Sequence, residues 1–193
     1  MKVIGITGGI GSGKTTISNM LREAGYPVFD SDFQAKQLYN SDINLISDMK
    51  KMFGDNIYKD GLLDRKALSD IVFKDKSSLE QLNSIVHPKV REYMNFQIKE
   101  SKSDLFFVES AILFESGLYE YMDKVLAVTA PTSLRIERTM KRDNVTKEQV
   151  EARMKFQYCE DKRLSKSDYV ISTDQDLEQV KEILFRLVEH IKN

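Results

Sequence analysis

The sequence predicts an α/β fold, in which a mostly parallel, doubly wound sheet is flanked by helices. Three observations predict it. Short apolar, β-branched runs recur along the chain: Val3-Ile4-Gly5-Ile6-Thr7, Val28-Phe29, Leu105-Phe106-Phe107-Val108, Val125-Leu126-Ala127-Val128 and the briefer Tyr169-Val170-Ile171. Such runs suit strands buried on both faces of a sheet. Stretches with apolar residues at helical spacing separate them, and strands alternating with helices imply parallel pairing. Finally, 193 residues, 41% apolar and 31% charged, are enough to bury one core, or a core with an inserted lobe.

The whole-chain balance excludes several classes. A formal net charge of −1 gives no basic surplus for nucleic acid or an anionic membrane. Cys159 is the sole cysteine, which rules out an internal disulfide and a cysteine zinc cluster and suits a reducing compartment. It has no visible base beside it and reads as inert. The apolar start, Met1 to Gly5, is too short for a signal segment, and no run approaches the ~18 residues of a membrane span. The expectation is a cytoplasmic protein, monomeric, with neither nucleic acid nor membrane as partner.

Taken in order, Val3–Thr7 is the first strand. Ile17, Met20, Leu21 and Ala24 then share one helical face, and Gly25 is a natural stop. Val28-Phe29 completes a β-α-β unit ending at Asp30-Ser31-Asp32. Residues 33–100 read mostly as helix. Asp64 begins a helix carrying Leu68, Ile71 and Val72. Ser78 and Gln81 have capping-box spacing, and His87-Pro88 marks a break or a new helix start. Gly54 and Asp60-Gly61 are turns. This is too much helix for a simple crossover. After the third and fourth strands, Thr132 is placed to cap a helix over about 133–142, and Thr146 with Gln149 caps the next. Leu177, Val180, Leu184, Leu187, Val188 and Ile191 line a final helix. The expected division is a core of about 1–32, 101–132 and 165–193, a helical lobe of about 33–100 and a lid of about 133–164.

Chemistry concentrates at Gly8-Gly9-Ile10-Gly11-Ser12-Gly13-Lys14-Thr15, which fits G-x-x-x-x-G-K-[ST] without a gap. Glycines let successive N–H groups curl around phosphate oxygens, and the following helix adds its positive end. Lys14 places a charge on the β- and γ-phosphates of ATP, and the Thr15 hydroxyl can ligate Mg²⁺. The alternative is a glycine turn that merely joins strand to helix. Because the motif follows a buried-strand pattern and opens an amphipathic helix, the phosphate reading is preferred. It makes Gly11, Ser12, Gly13, Lys14, Thr15 and Thr16 the nucleotide-binding set and the fold a P-loop NTPase-type sheet.

Asp30 and Asp32 follow the second strand, where ligands bind in open parallel sheets. They can ligate Mg²⁺, hold an acceptor hydroxyl or take its proton; equally, they can be a turn or a helix cap. Glu109, at the end of the third strand, can assist Mg²⁺ through water or be a plain loop residue. Arg135, Arg138 and Arg142 fall on one helical face. Over a phosphate loop they read as lid cations, and otherwise as a solvated face paired with Glu137 and Asp143. His190 reads as surface.

An ordered set of segments resembles the dephospho-CoA kinase family. It comprises Ile4 to Thr16, Asp30-Ser31-Asp32, Asp64-Arg65 with Leu68 and Val72-Phe73, and Ile85-Val86-His87-Pro88. It continues through Ala111-Ile112-Leu113-Phe114-Glu115 and Arg138-Thr139-Met140-Lys141-Arg142-Asp143, with Gln157 after the lid. Ala111 and Ser31 replace a proline and an alanine of the family pattern. Ser172-Thr173-Asp174 stands where the family carries an Asp-Asn pair near the adenine. The resemblance implies ATP-dependent phosphorylation of the 3′-hydroxyl of dephospho-CoA, the last step of coenzyme A biosynthesis, with Mg²⁺. It implies that Asp32 faces that hydroxyl and that Lys14, Arg138 and Arg142 stabilise the moving phosphate. Thr15 would hold the metal, and His87 would lie on the acceptor side. The alternatives are another small-molecule or nucleotide kinase of this build, or a nucleotide-binding regulatory switch; the Asn-Lys-x-Asp motif that reads guanine is absent.

Overall fold

The computed structural model describes residues 1–72 and 76–193. The chain runs β1 (Lys2–Thr7), α1 (Lys14–Glu23), β2 (Val28–Asp30), α2 (Ser31–Ser41) and α3 (Ile43–Phe53). It continues through β3 (Tyr58–Lys59), β4 (Leu62–Leu63), α4 (Arg65–Val72) and α5 (Lys76–Glu100). Next come β5 (Leu105–Glu109), β6 (Lys124–Thr129), α6 (Thr132–Asp143), α7 (Lys147–Met154) and α8 (Glu160–Ser165). The chain ends with β7 (Tyr169–Ser172) and α9 (Leu177–Lys192). Phe73, the last residue of the quoted Asp64–Phe73 segment, lies outside the described residues. Among the described residues no helix is long and apolar enough to cross a membrane.

Two compact units emerge: Met1–Asp30 with Ser101–Asn193, and Ser31–Glu100. The first holds a five-stranded parallel sheet in the order β2-β5-β1-β6-β7. Strand order reverses on either side of β1, so its carboxyl end is the place where such sheets bind ligands. Every residue of β5 is buried, as the unbroken apolar run requires of an inner strand. Ile4, Ile6, Leu105, Phe107, Leu126 and Val128 join Ile17 and Leu21 of α1 and Val180, Leu184, Val188 and Ile191 of α9 in one core. Gly5 leaves room for Leu113, whose Cδ2 would stand 2.7 Å from an added Cβ. The α1 helix stops at Gly25 (φ 86°), where the Tyr26 N–H returns to the Leu21 carbonyl at 3.0 Å.

In the second unit, α2, α3 and α4 each pack against α5. Asp64 caps α4 by accepting from the N–H groups of Lys66 and Ala67.

Three expectations are corrected. His87-Pro88 is not a junction: α5 runs unbroken from Lys76 to Glu100 with Pro88 inside it. A mid-helix proline costs roughly 3 kcal/mol. Burial of Val86, Val90 and Met94 along one face, at roughly 1.5–3 kcal/mol for each such side chain, offsets that cost and keeps the helix continuous. Ser78 accordingly lies inside α5 rather than at its cap. Thr132 is the first residue of α6, and Pro131, whose carbonyl accepts from the Arg135 N–H at 3.0 Å, stands at the cap. The stretch read as mostly helix also holds, on either side of the expected Asp60-Gly61 turn, the β3–β4 hairpin. Asp60 (φ 51°) and Gly61 (φ 79°) both take left-handed backbone there, the two-residue turn that matches strand twist.

Candidate active site

The Gly8–Thr15 loop leaves β1 at Thr7 and enters α1 at Lys14. Its glycines are sterically required. A Cβ on Gly8 would stand 2.2 Å from the Val128 carbonyl oxygen, and one on Gly9 would stand 1.9 Å from the Arg135 guanidinium. Gly11 (φ 75°) and Gly13 (φ 92°) take left-handed backbone as well. The Ser12 N–H closes a turn onto the Gly9 carbonyl at 3.1 Å. The Ser12 hydroxyl is buried with no hydrogen-bond partner. Lys14 Nζ donates to the carbonyls of Gly8 (2.8 Å) and Gly9 (3.3 Å), which fixes its charge at the loop. Thr16 follows, exposed, in the first turn of α1. The result is a nest of backbone N–H groups at a helix N-terminus with one cation on it, an anion site by construction.

The acids of β2 and β5 lie beside it. Asp30 and Glu109 are register partners at the carboxyl ends of adjacent strands. The Thr15 hydroxyl donates to Glu109 Oε1 at 3.1 Å, and Arg22 stands 3.8 Å from Oε2. Burial raises the Glu109 carboxyl above its ordinary value. The Asp30 charge adds to this, while Ser18, Lys14 and Thr15 work against it. Hydroxyl and carboxylate oxygens side by side are the donor set that suits a hard divalent cation. No three of His, Cys, Asp and Glu cluster as metal ligands among the described residues. The donors therefore fit an ion that takes most of its ligands from phosphate and water.

The arginine stripe separates into three roles. Arg135 is buried (5% exposed), donates from Nε to the Ile10 carbonyl at 3.1 Å, and forms an ion pair with Glu160. Glu160 also accepts from the Thr129 hydroxyl. Arg138 donates to Thr173 Oγ1 (2.9 Å) and to its carbonyl (2.8 Å). The Thr173 hydroxyl in turn donates to the Ser12 carbonyl at 2.8 Å, so Arg138 is one residue removed from the loop. Arg142 is exposed and pairs with Asp143, which also holds Arg153.

Sequence reasoning passed over Glu160 and the function of Gln157, and marked Thr173 only as part of the segment that replaces the family's Asp-Asn pair. Gln157 Oε1 accepts from the Ile10 N–H at 2.9 Å, and its Nε2 donates to the Ala111 carbonyl at 3.2 Å. Only its place after the lid drew notice, since a lone amide carries no spacing signal.

Asp32 and His87 belong to the second unit. Asp32 stands in the first turn of α2, two residues past Asp30 in the chain, where the helix N-terminus favours an anion. His87 is half-buried in α5; burial first, and then the Arg91 charge, hold its pKa below the ordinary value.

A parallel sheet whose central strand delivers a phosphate-wrapping loop, with acids on the neighbouring strand ends, defines a P-loop kinase fold. The family profile for dephospho-CoA kinase matches residues 2–179. The chain is 36% identical to a dephospho-CoA kinase of Listeria monocytogenes, over 100% of this chain and 98% of that one. Its fold matches the crystal structure of TT1252 from Thermus thermophilus with a TM-score of 0.88 at 34% identity, covering 98% and 97% of the two chains. It matches a dephospho-CoA kinase from Campylobacter jejuni with a TM-score of 0.70 at 28% identity, covering 98% and 96%. The chain belongs to the dephospho-CoA kinase family.

Proposed function

We propose that this protein transfers the γ-phosphoryl group of ATP to the 3′-hydroxyl of the ribose of dephospho-CoA, giving CoA and ADP. The observation that carries the phosphoryl-transfer reading is the Lys14–Thr15–Glu109 group at the carboxyl end of the central strands. Family membership supplies the acceptor. The loop N–H groups and Lys14 hold the β- and γ-phosphates. Thr15, with Glu109 and Asp30 behind it, would hold Mg²⁺. When bound, that ion neutralises charge on the phosphate oxygens.

The remaining work is alignment and charge. The ribose 3′-oxygen forms a bond to the γ-phosphorus as the bond to the β,γ-bridging oxygen breaks, and ADP leaves with that electron pair. Asp32 orients the hydroxyl and accepts its proton late. Arg138, tied to Ser12 through Thr173, would stabilise the equatorial oxygens. Arg142 joins it by exchanging Asp143 for phosphate. His87 lines the acceptor side in its neutral form.

The test is incubation with ATP, Mg²⁺ and a panel of acceptors that includes dephospho-CoA. CoA and ADP should appear in equal amounts with that acceptor alone. In Asp32→Asn, kcat should fall at least ~10²-fold, the contribution of a general base, with ATP affinity little changed. Near-parental turnover in that variant removes Asp32 from the role.

A further inference from the structure

We propose that Arg135 is a positioning residue for the phosphate loop, acting with Gln157 as a two-point clamp on Ile10, and not a cation of the transition state. The proposal rests on the nucleotide-binding reading of that loop. Both backbone polar groups of Ile10 are taken by side chains from the 133–164 segment. The N–H goes to Gln157 Oε1 at 2.9 Å, and the carbonyl accepts from Arg135 Nε at 3.1 Å. Each of the two side chains is anchored at its other end. Gln157 donates to the Ala111 carbonyl just past β5. Arg135 pairs with Glu160, which accepts from Thr129 at the end of β6. The clamp therefore ties the loop's Ile10 to strand ends on both sides of β1.

The chemistry suits a clamp better than a phosphate ligand. The Arg135 side chain is 6% exposed, and its charge is already matched by a carboxylate. Its guanidinium fills the space beside Gly9, and its own carbonyl fills the space beside Gly11. A guanidinium has donors for Ile10 and Glu160 at once, in a fixed fork. With the Ile10 N–H turned toward Gln157 and the Ser12 N–H on the Gly9 carbonyl, the Gly11 and Gly13 N–H groups and those of the first turn of α1 are left to face phosphate. A loop held this way binds nucleotide equally in ground and transition states. Its loss therefore appears in KM and leaves kcat in place.

The test compares the parent with the charge-neutral double variant Arg135→Met/Glu160→Gln, which leaves no unpaired buried charge, and with Gln157→Leu. ADP affinity is measured by equilibrium dialysis and ATP kinetics by steady-state turnover, with melting temperature read alongside. The clamp predicts a KM for ATP and a Kd for ADP raised about 10-fold in the double variant and at least about 3-fold in Gln157→Leu, with kcat within about 3-fold of the parent. A fall in kcat with unchanged ADP affinity would make Arg135 a transition-state cation. Unchanged nucleotide affinity in Gln157→Leu and in a folded double variant would make the contacts plain packing. Either result overturns the proposal. If the double variant does not fold, Gln157→Leu decides alone. The ADP arm needs no acceptor, so a failure to phosphorylate dephospho-CoA leaves it readable.

Discussion

Glu109 shows how one side chain can carry a cost that the site uses. Burial lifts its pKa from an ordinary 4.5, so the native state binds this proton more tightly than the unfolded chain does. Its contribution to stability is complete below about pH 4.5 and is lost as the pH rises through the raised value. Above that raised value the ionised Glu109 weighs against stability, a cost that Ser18, Lys14 and Thr15 offset in part and that a cation joining Thr15 would offset further. Glu109→Gln keeps an acceptor for the Thr15 hydroxyl and removes the charge. Its melting temperature at pH 7 should exceed the parent's, and the gap should close toward pH 4.5. Its response to Mg²⁺ with ATP should weaken. A variant less stable than the parent at pH 7 would contradict this account.

At the scale of elements, close apposition of α6 and the phosphate loop governs what each glycine tolerates. Gly11 and Gly25 share left-handed backbone, at φ 75° and 86°. A Cβ on Gly25 meets open space, whereas one on Gly11 would lie 2.2 Å from the Arg135 carbonyl oxygen. Gly25→Ala should cost only the left-handed penalty, about 1–2 kcal/mol, with nucleotide affinity intact. Gly11→Ala should cost more than that and abolish ATP binding, because a backbone carbonyl cannot swing aside. Denaturant melts and ADP titrations on the two variants check the contrast.

The same elements show what could be read in advance. All five sheet strands and the α1 and α9 faces stood out, because a buried parallel strand and an amphipathic helix each impose a residue period. The phosphate loop stood out because its glycines serve backbone geometry. Pro88 misled, because a local helix breaker was outweighed by the buried face around it. The β3–β4 strands, two residues each, are too short to show alternation; only their Asp60-Gly61 turn was visible. The clamp on Ile10 left no trace, since Arg135, Gln157 and Glu160 meet through folding alone. Arg135 read as one of three lid cations because helical spacing reports which face a residue shares and not what lies against that face.

For the whole molecule, a nucleotide that binds only the native state must stabilise it. At 100 times its Kd, ATP with Mg²⁺ should add about 2.7 kcal/mol, a rise in melting temperature of roughly 5–10 °C for a chain of this size. Chelating the metal should remove most of that rise. An unchanged melting temperature with both present would contradict a phosphate site at Gly8–Thr15.

The register of the central strand has a consequence for synthesis. β1 pairs with β5 and β6, and β2 pairs with β5 alone. Lys2 faces Leu105, so about a hundred residues must leave the ribosome before any strand of the sheet finds a partner. At 5–20 residues per second, the nascent apolar runs at 3–7 and 28–29 wait roughly 5–20 s. The phosphate loop between them completes its contacts only once α6, α8 and Thr173 after β7 have been made. A ribosome stalled before residue 105 would thus present an N-terminus with every glycine of the motif and none of its walls.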